Sequence, residues 1–137
     1  MTFEFTAEQR EFRAEVCAFL TEELTPEVWT RHRDENEYGG WSVDYMRAFR
    51  RKLGERGYIG MGWPAEYGGG GKDMIYQVIL TEELEYHAAP GLDRTITYLP
   101  MGIIAFGTEA QKKRFLPRLR HGELALYVGY SEPEAGS

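Results

Sequence analysis

Two short stretches announce helices more firmly than anything else in the chain. Thr6 stands three residues ahead of Gln9, and Thr108 stands three ahead of Gln111. In each pair the threonine hydroxyl can accept from a first-turn N–H while the glutamine side chain reaches back to the threonine N–H. Apolar residues then recur at spacings of three and four: Phe12, Val16, Phe19, Leu20 and Leu24 after the first box, Phe115, Leu116 and Leu119 after the second. Such a stripe is buried only as one face of a helix. Thr25-Pro26 closes the first helix and Gly122 the last.

The stretch between them reads the same way. Ser42 caps a second helix that turns Met46, Phe49 and Leu53 inward and ends at Gly57. The polar run TRHRDENEYGG before it is expected to be a surface connection. Gly68 to Gly71 cannot be helix interior without a large entropic cost, so they mark a loop. A third helix is predicted from Met74 to Ala88, with Ile75, Val78, Ile79 and Leu84 facing inward and Pro90 as its stop. A fourth surrounds Pro100 in TITYLPMGIIAFG and ends at Gly107. From Glu123 the pattern alternates as in a strand and runs into a polar turn. The expected fold is all-α: a bundle of about five helices over residues 1–122, ending in one β-strand that opens a second domain at 123–137.

At 137 residues the chain can bury a core of its own. A formal net charge of −6 argues against nucleic acid as a partner, because phosphate binding needs a basic face. Lys112, Lys113 and Arg114, with Arg118 and Arg120 after them, read as a solvated helix face. The single cysteine, Cys17, cannot form an internal disulfide and is expected to be a buried, inert thiol, as suits a reducing cytosol. The first residues lack the layout of a signal peptide, and no apolar run is long enough to span a bilayer. A cytoplasmic protein is expected.

Few residues offer chemistry by spacing alone. Gly71-Lys72 evokes a phosphate-binding loop, but Asp73 follows where Ser or Thr is needed and Glu66 stands where the first glycine belongs. The glycine run is therefore read as a flexible turn joining helices. His32, His87 and His121 share no ligand spacing. Glu82, Glu83, Glu85 and His87 lack the Glu-x-x-His unit of carboxylate-bridged metal sites, and the plain reading is a solvated acidic face. The terminal turn is the better candidate. A serine hydroxyl and backbone N–H groups in a turn shaped by Pro and Gly make a donor-rich concavity, suited to a heteroaromatic edge or a phosphate.

Three stretches, in order, carry a resemblance. GWPAEYGGGG (Gly62 to Gly71), GTEAQKKRFLPRLRHGE (Gly107 to Glu123) and YSEPEAGS (Tyr130 to Ser137) resemble successive motifs of the acyl-CoA dehydrogenase family. With the opening FTAEQREFRAEV the likeness covers nearly the whole chain. It implies an N-terminal helical domain, a middle β domain and a C-terminal helical bundle, the whole being an α+β flavoenzyme. It implies FAD as cofactor and desaturation of an acyl-CoA thioester between the α and β carbons, with a carboxylate base taking the α proton and the flavin taking the β hydride. Fatty acid and lipid metabolism would be the setting, with electron-transfer flavoprotein or another acceptor as redox partner, and a homo-oligomer as the usual assembly.

By the same resemblance Val128, Tyr130 and Ser131 match positions that face the flavin, and Ser137 matches a serine near the cofactor phosphates and the thioester arm. Thr95, Ile96, Tyr98 and Leu99 match the stretch beside the acyl tail, with ordinary core packing as their plain alternative. Glu134 departs from the small residue that many members carry in the turn. No acid here matches the catalytic base, which the family places further along, so none of Glu82, Glu83 and Glu132 is assigned that role. The chain is accordingly expected to be an inactive N-terminal portion of a larger enzyme. The rival reading is a non-enzymatic interaction module on the same fold.

Overall fold

A computed structural model describes residues 4–34, 40–90, 98–129 and 132–135. The described helices are α1 (Ala7–Glu23), the short α2 (Pro26–Trp29), α3 (Val43–Glu55), α4 (Met74–Tyr86), α5 (Leu99–Phe106) and α6 (Glu109–Arg120). Both capping boxes form. The Gln9 N–H donates to the Thr6 hydroxyl at 3.2 Å and the Thr6 N–H to the Gln9 side chain at 2.9 Å. The corresponding bonds at Thr108 and Gln111 are 3.2 and 2.8 Å. Pro100 sits in the first turn of α5, where its missing N–H costs nothing.

The core follows the predicted stripes. Phe12, Val16, Phe19 and Leu20 of α1 meet Phe49 and Leu53 of α3, Ile79, Leu80 and Leu84 of α4, and Leu116 and Leu119 of α6. Tyr58, Ile59, Met61 and Trp63, from the segment after α3, complete it. Tyr58 stands edge-on to Phe12 and Phe19, with ring centroids 5.8 and 5.7 Å away. Each such side chain contributes about 1.5–3 kcal/mol by leaving water.

The structure differs from the sequence expectation at several places. Val78 is 42% exposed, because the face of α4 that meets α1 carries Ile79, Leu80, Glu83 and Leu84 and Val78 lies off it. α4 ends at Tyr86, ahead of Pro90: Ala88 adopts a left-handed φ of +45°, and the Ala89 N–H donates to the Leu84 carbonyl at 2.8 Å. The polar connection after α2 begins as a π-helical turn, Thr30–Asp34, with His32 stacked on Tyr45 at 4.7 Å; residues 35–39 lie outside the described residues.

The glycine run is another. It is packed rather than slack. The N–H groups of Gly70, Gly71 and Lys72 donate to the carbonyls of Gly60, Trp63 and Met61 at 3.2, 3.0 and 2.8 Å. At Gly69 a β-carbon would overlap the Trp63 carbonyl, so the loop closes only with glycine there.

Residues 123–129 form neither helix nor ladder, and the turn beyond them shows one isolated bridge between Glu132 and Ala135. A strand exists only where another strand pairs with it, and no described residue supplies one. The fold is helical, as the stripes require.

Candidate functional site

Leu99, one of the residues that the sequence nominates, lies where α5, α6 and residues 126–127 converge. Gly107 ends α5 in extended backbone and Thr108 starts α6 at once, so the two helices form a tight pair. α6 closes at Gly122, with a φ of +69°. There the Gly122 N–H donates to the Leu119 carbonyl and the Glu123 N–H to the Arg118 carbonyl, both at 2.9 Å, the pattern of a Schellman cap. The chain then turns back along the pair, and Leu124 and Leu126 tuck against the core.

This path leaves a groove of about 400 Å³ lined by Leu99, Gly102, Ile103, Phe106, Gly107, Gln111, Phe115, Leu126 and Tyr127. Its lining is mostly apolar carbon. Phe106 is 90% exposed and Tyr127 87% exposed. Leu99, Ile103 and Phe106 recur at spacings of four and three, so α5 presents them on one face. Tyr98 and Met101 lie exposed on the same helix start.

Of the predicted site residues, the structure describes three. Leu99 lines the groove, half-buried; Tyr98 is exposed next to it; Val128 is half-buried, one residue past the groove wall. Thr95, Ile96, Tyr130, Ser131 and Ser137 lie outside the described residues. Ile103, Phe106, Leu126 and Tyr127 were not singled out by sequence. The spacing from Leu99 through Phe106 was the available signal for the first two, and the alternation after Glu123 for the others. In the turn itself, the Glu132 N–H donates to the Ala135 carbonyl at 2.6 Å and the Ala135 N–H to the Glu132 carbonyl at 3.1 Å. Those two donors are engaged within the turn and are not offered to a ligand.

A larger groove of about 640 Å³ separates the end of α3, the 3-10 turn Ala65–Tyr67 and α6, and shares no lining residue with the first. It corrects the reading of the basic run as one solvated face. Lys112 is largely covered: its amino group donates to the Tyr67 hydroxyl at 3.1 Å and pairs with Glu109 at 3.1 Å. The Tyr67 hydrogen bond, then Glu109, raises the Lys112 pKa. Arg120 donates to the Gly68 carbonyl at 2.7 Å, fastening α6 to the glycine loop. Lys113, Arg114 and Arg118 are the members that face water.

The acidic run divides likewise. Glu82 and Glu85 are exposed, but Glu83 is 6% exposed and faces α1. It accepts from Arg13 and from the Cys17 thiol, the latter at 3.1 Å, with His87 3.7 Å away. Burial pushes the Glu83 carboxyl up, but the bonds from Arg13 and Cys17 outweigh it and the net shift is downward. Burial, then the bond to Glu83, raises the Cys17 thiol, which is half-buried and poorly nucleophilic. Among the described residues no group of three or more His, Cys, Asp or Glu side chains could hold a metal ion.

The helical arrangement and the motifs that flank the first groove have a known counterpart. A family model described as "Acyl-CoA dehydrogenase, N-terminal domain" matches residues 6–123. The chain belongs to the acyl-CoA dehydrogenase family. It is 37% identical to acyl-CoA dehydrogenase FadE26 of Mycobacterium tuberculosis, over 100% of this chain and 34% of that protein. Among solved structures, the ChsE4-ChsE5 complex of Mycobacterium tuberculosis superposes with a TM-score of 0.84 at 36% identity, covering 99% of this chain and 33% of that one. An acyl-CoA dehydrogenase complexed with FAD from Bacillus anthracis superposes with a TM-score of 0.72 at 28% identity, over 97% of this chain and 22% of that one. The chain thus spans about a third of the length of the curated relatives it matches. No described helix is long and apolar enough to cross a membrane.

Proposed function

We propose that this chain supplies the N-terminal helical part, and with residues 123–137 the first segment of the next domain, of an FAD-dependent acyl-CoA dehydrogenase. The observation that carries this reading is the apolar groove between α5, α6 and residues 126–127, after which the sequence runs on within four residues into SEPEAGS. An apolar wall followed in the chain by a polar turn suits a flat cofactor, or an acyl chain, whose other edge needs hydrogen bonds. The relative complexed with FAD supports the choice of flavin.

Within this reading the backbone of Val128 and Tyr130 and the hydroxyl of Ser131 bind the polar edge of the flavin. Ser137 holds the region of the cofactor phosphates and the thioester arm. Thr95, Ile96, Tyr98 and Leu99 lie against the acyl tail. When bound, FAD supplies the hydride-accepting chemistry for α,β-desaturation. This chain's residues orient the cofactor, exclude water from its apolar side and place donors where negative charge develops. The catalytic base is assigned to none of its acids. The acyl-CoA substrate, an electron-transfer flavoprotein as acceptor, a homo-oligomeric assembly, a cytoplasmic location and a place in fatty acid metabolism belong to the same proposal.

The test is purification of the full-length protein that carries this chain. Bound FAD, and bleaching of its absorption on anaerobic addition of an acyl-CoA series, are expected. Flavin-free protein that oxidises no acyl-CoA after reconstitution with FAD overturns the reading.

A further inference from the structure

We propose that Gly122 is a positioning residue for the cofactor: the pivot at which the backbone is aimed from α6 toward Val128, which the functional reading sets at the flavin edge. The inference rests on the functional reading above and concerns how the site is held rather than what it does.

Two glycines cross where α3 meets the end of α6. At Gly122 a β-carbon would overlap the Arg50 carbonyl and lie 2.9 Å from the Arg51 α-carbon. At Gly54, on the same helix α3, a β-carbon would lie 2.6 Å from the His121 carbonyl carbon and 2.9 Å from the Arg120 oxygen. Backbone therefore touches backbone on both sides of the crossing, and the C-terminus of α6 has no side chain on which to slide. The left-handed φ of +69° and the two 2.9 Å cap hydrogen bonds then fix the direction in which residue 123 leaves. An ion pair from Arg118 to Glu123 at 3.6 Å spans the bend from outside. Leu124 and Leu126, partly buried, pack against the core directly afterwards. Val128 lies only six positions beyond the pivot, so an angular error at Gly122 becomes a displacement at the flavin edge.

Such displacement matters because cofactor hydrogen bonds depend on distance, and losing one or two of them weakens binding roughly 10- to 100-fold. Gly69 is the right comparison. A β-carbon there also overlaps a backbone carbonyl, that of Trp63, but in a loop that contributes nothing to the apolar groove. Both glycines are sterically obligatory, and only one of them points the chain at the proposed cofactor.

The experiment uses the full-length protein loaded with FAD, measuring the FAD dissociation constant, the flavin absorption spectrum and the melting temperature. Gly122→Ala, and Gly122→Asn, which keeps a left-handed φ but adds bulk, are expected to weaken FAD binding about 10- to 100-fold and to shift the flavin bands. Gly69→Ala is expected to lower the melting temperature and leave the dissociation constant of the folded protein unchanged. Gly122 variants that bind FAD as the wild type does, or a Gly69→Ala that weakens FAD equally, overturn the proposal. Amide hydrogen exchange of the wild-type apoprotein decides the case in which the Gly122 variants do not fold. Protection of the Gly122 and Glu123 amides before FAD is added supports a preformed pivot, and free exchange until FAD binds overturns it. A wild-type protein that takes up no FAD overturns the functional reading and this inference with it.

Discussion

Trp63 and Phe106 are both large aromatic residues close to glycines, and the molecule treats them oppositely. Trp63 is 3% exposed, clamped between the core and a glycine loop whose N–H groups return to the carbonyls of residues 60–63. Phe106 is 90% exposed at the end of α5, on the rim of an apolar groove with an equally exposed Tyr127. The first region has its partners within this chain. The second displays an apolar wall as if for something else. Burial by the chain's own residues marks scaffold, whereas a concave apolar surface left open marks a place where a ligand or another part of a protein can pack.

Substitution separates the two regions directly. Trp63→Ala is expected to cost about 3–5 kcal/mol of unfolding free energy, measured by urea denaturation, because it removes a buried ring and leaves a cavity beneath the loop. A loss below about 1 kcal/mol would mean that the loop is not part of the scaffold.

Glu83 sharpens the comparison from the polar side, since it is buried in the same packed half. Its folded pKa is depressed, so the stability it adds is present above the unfolded carboxyl value of about 4.3 and is lost as pH falls through the lower folded value. Glu83→Gln is expected to flatten the dependence of stability on pH below about 4.3, read from denaturation midpoints at a series of acid pH values. Arg13 is partly exposed, so the change at neutral pH is expected to be moderate, about 1–2 kcal/mol. A wild-type and a variant curve that run parallel through the acid range would remove Glu83 from the packed half's electrostatics.

The smallest effect belongs to the open region. Phe106→Ala is expected to change stability by less than about 0.5 kcal/mol in the same denaturation experiment. A larger loss would show that Phe106 is packed by this chain after all and that the groove is not an open face.

Much of this architecture was legible beforehand. The boxes at Thr6 and Thr108 gave the starts of α1 and α6, because a cap involves residues three apart and needs nothing distant. The motif order pointed to the family and, through it, to the terminal turn. Charge runs were less legible. Glu83 and Lys112 were grouped with solvated neighbours because adjacent charges look alike in sequence, and only the rotation of α4 against α1, and of α6 against Tyr67, turned one member of each run inward. The glycine run showed that a loop was needed but not that it would be packed, since that depends on the Trp63 carbonyl returning to meet it.

Local chemistry, then, was written in the chain: where helices begin and which stripes are apolar. Tertiary structure decided the rest. It chose which charges were paired and buried, closed the glycine loop on Trp63, and crossed α3 and α6 at Gly54 and Gly122 so that Leu126 and Tyr127 run beside α5. Helix starts depend on hydrogen bonds within one turn, which a short sequence specifies. Pairing, close approach and the direction of a segment depend on contacts between residues tens of positions apart, which packing alone can set.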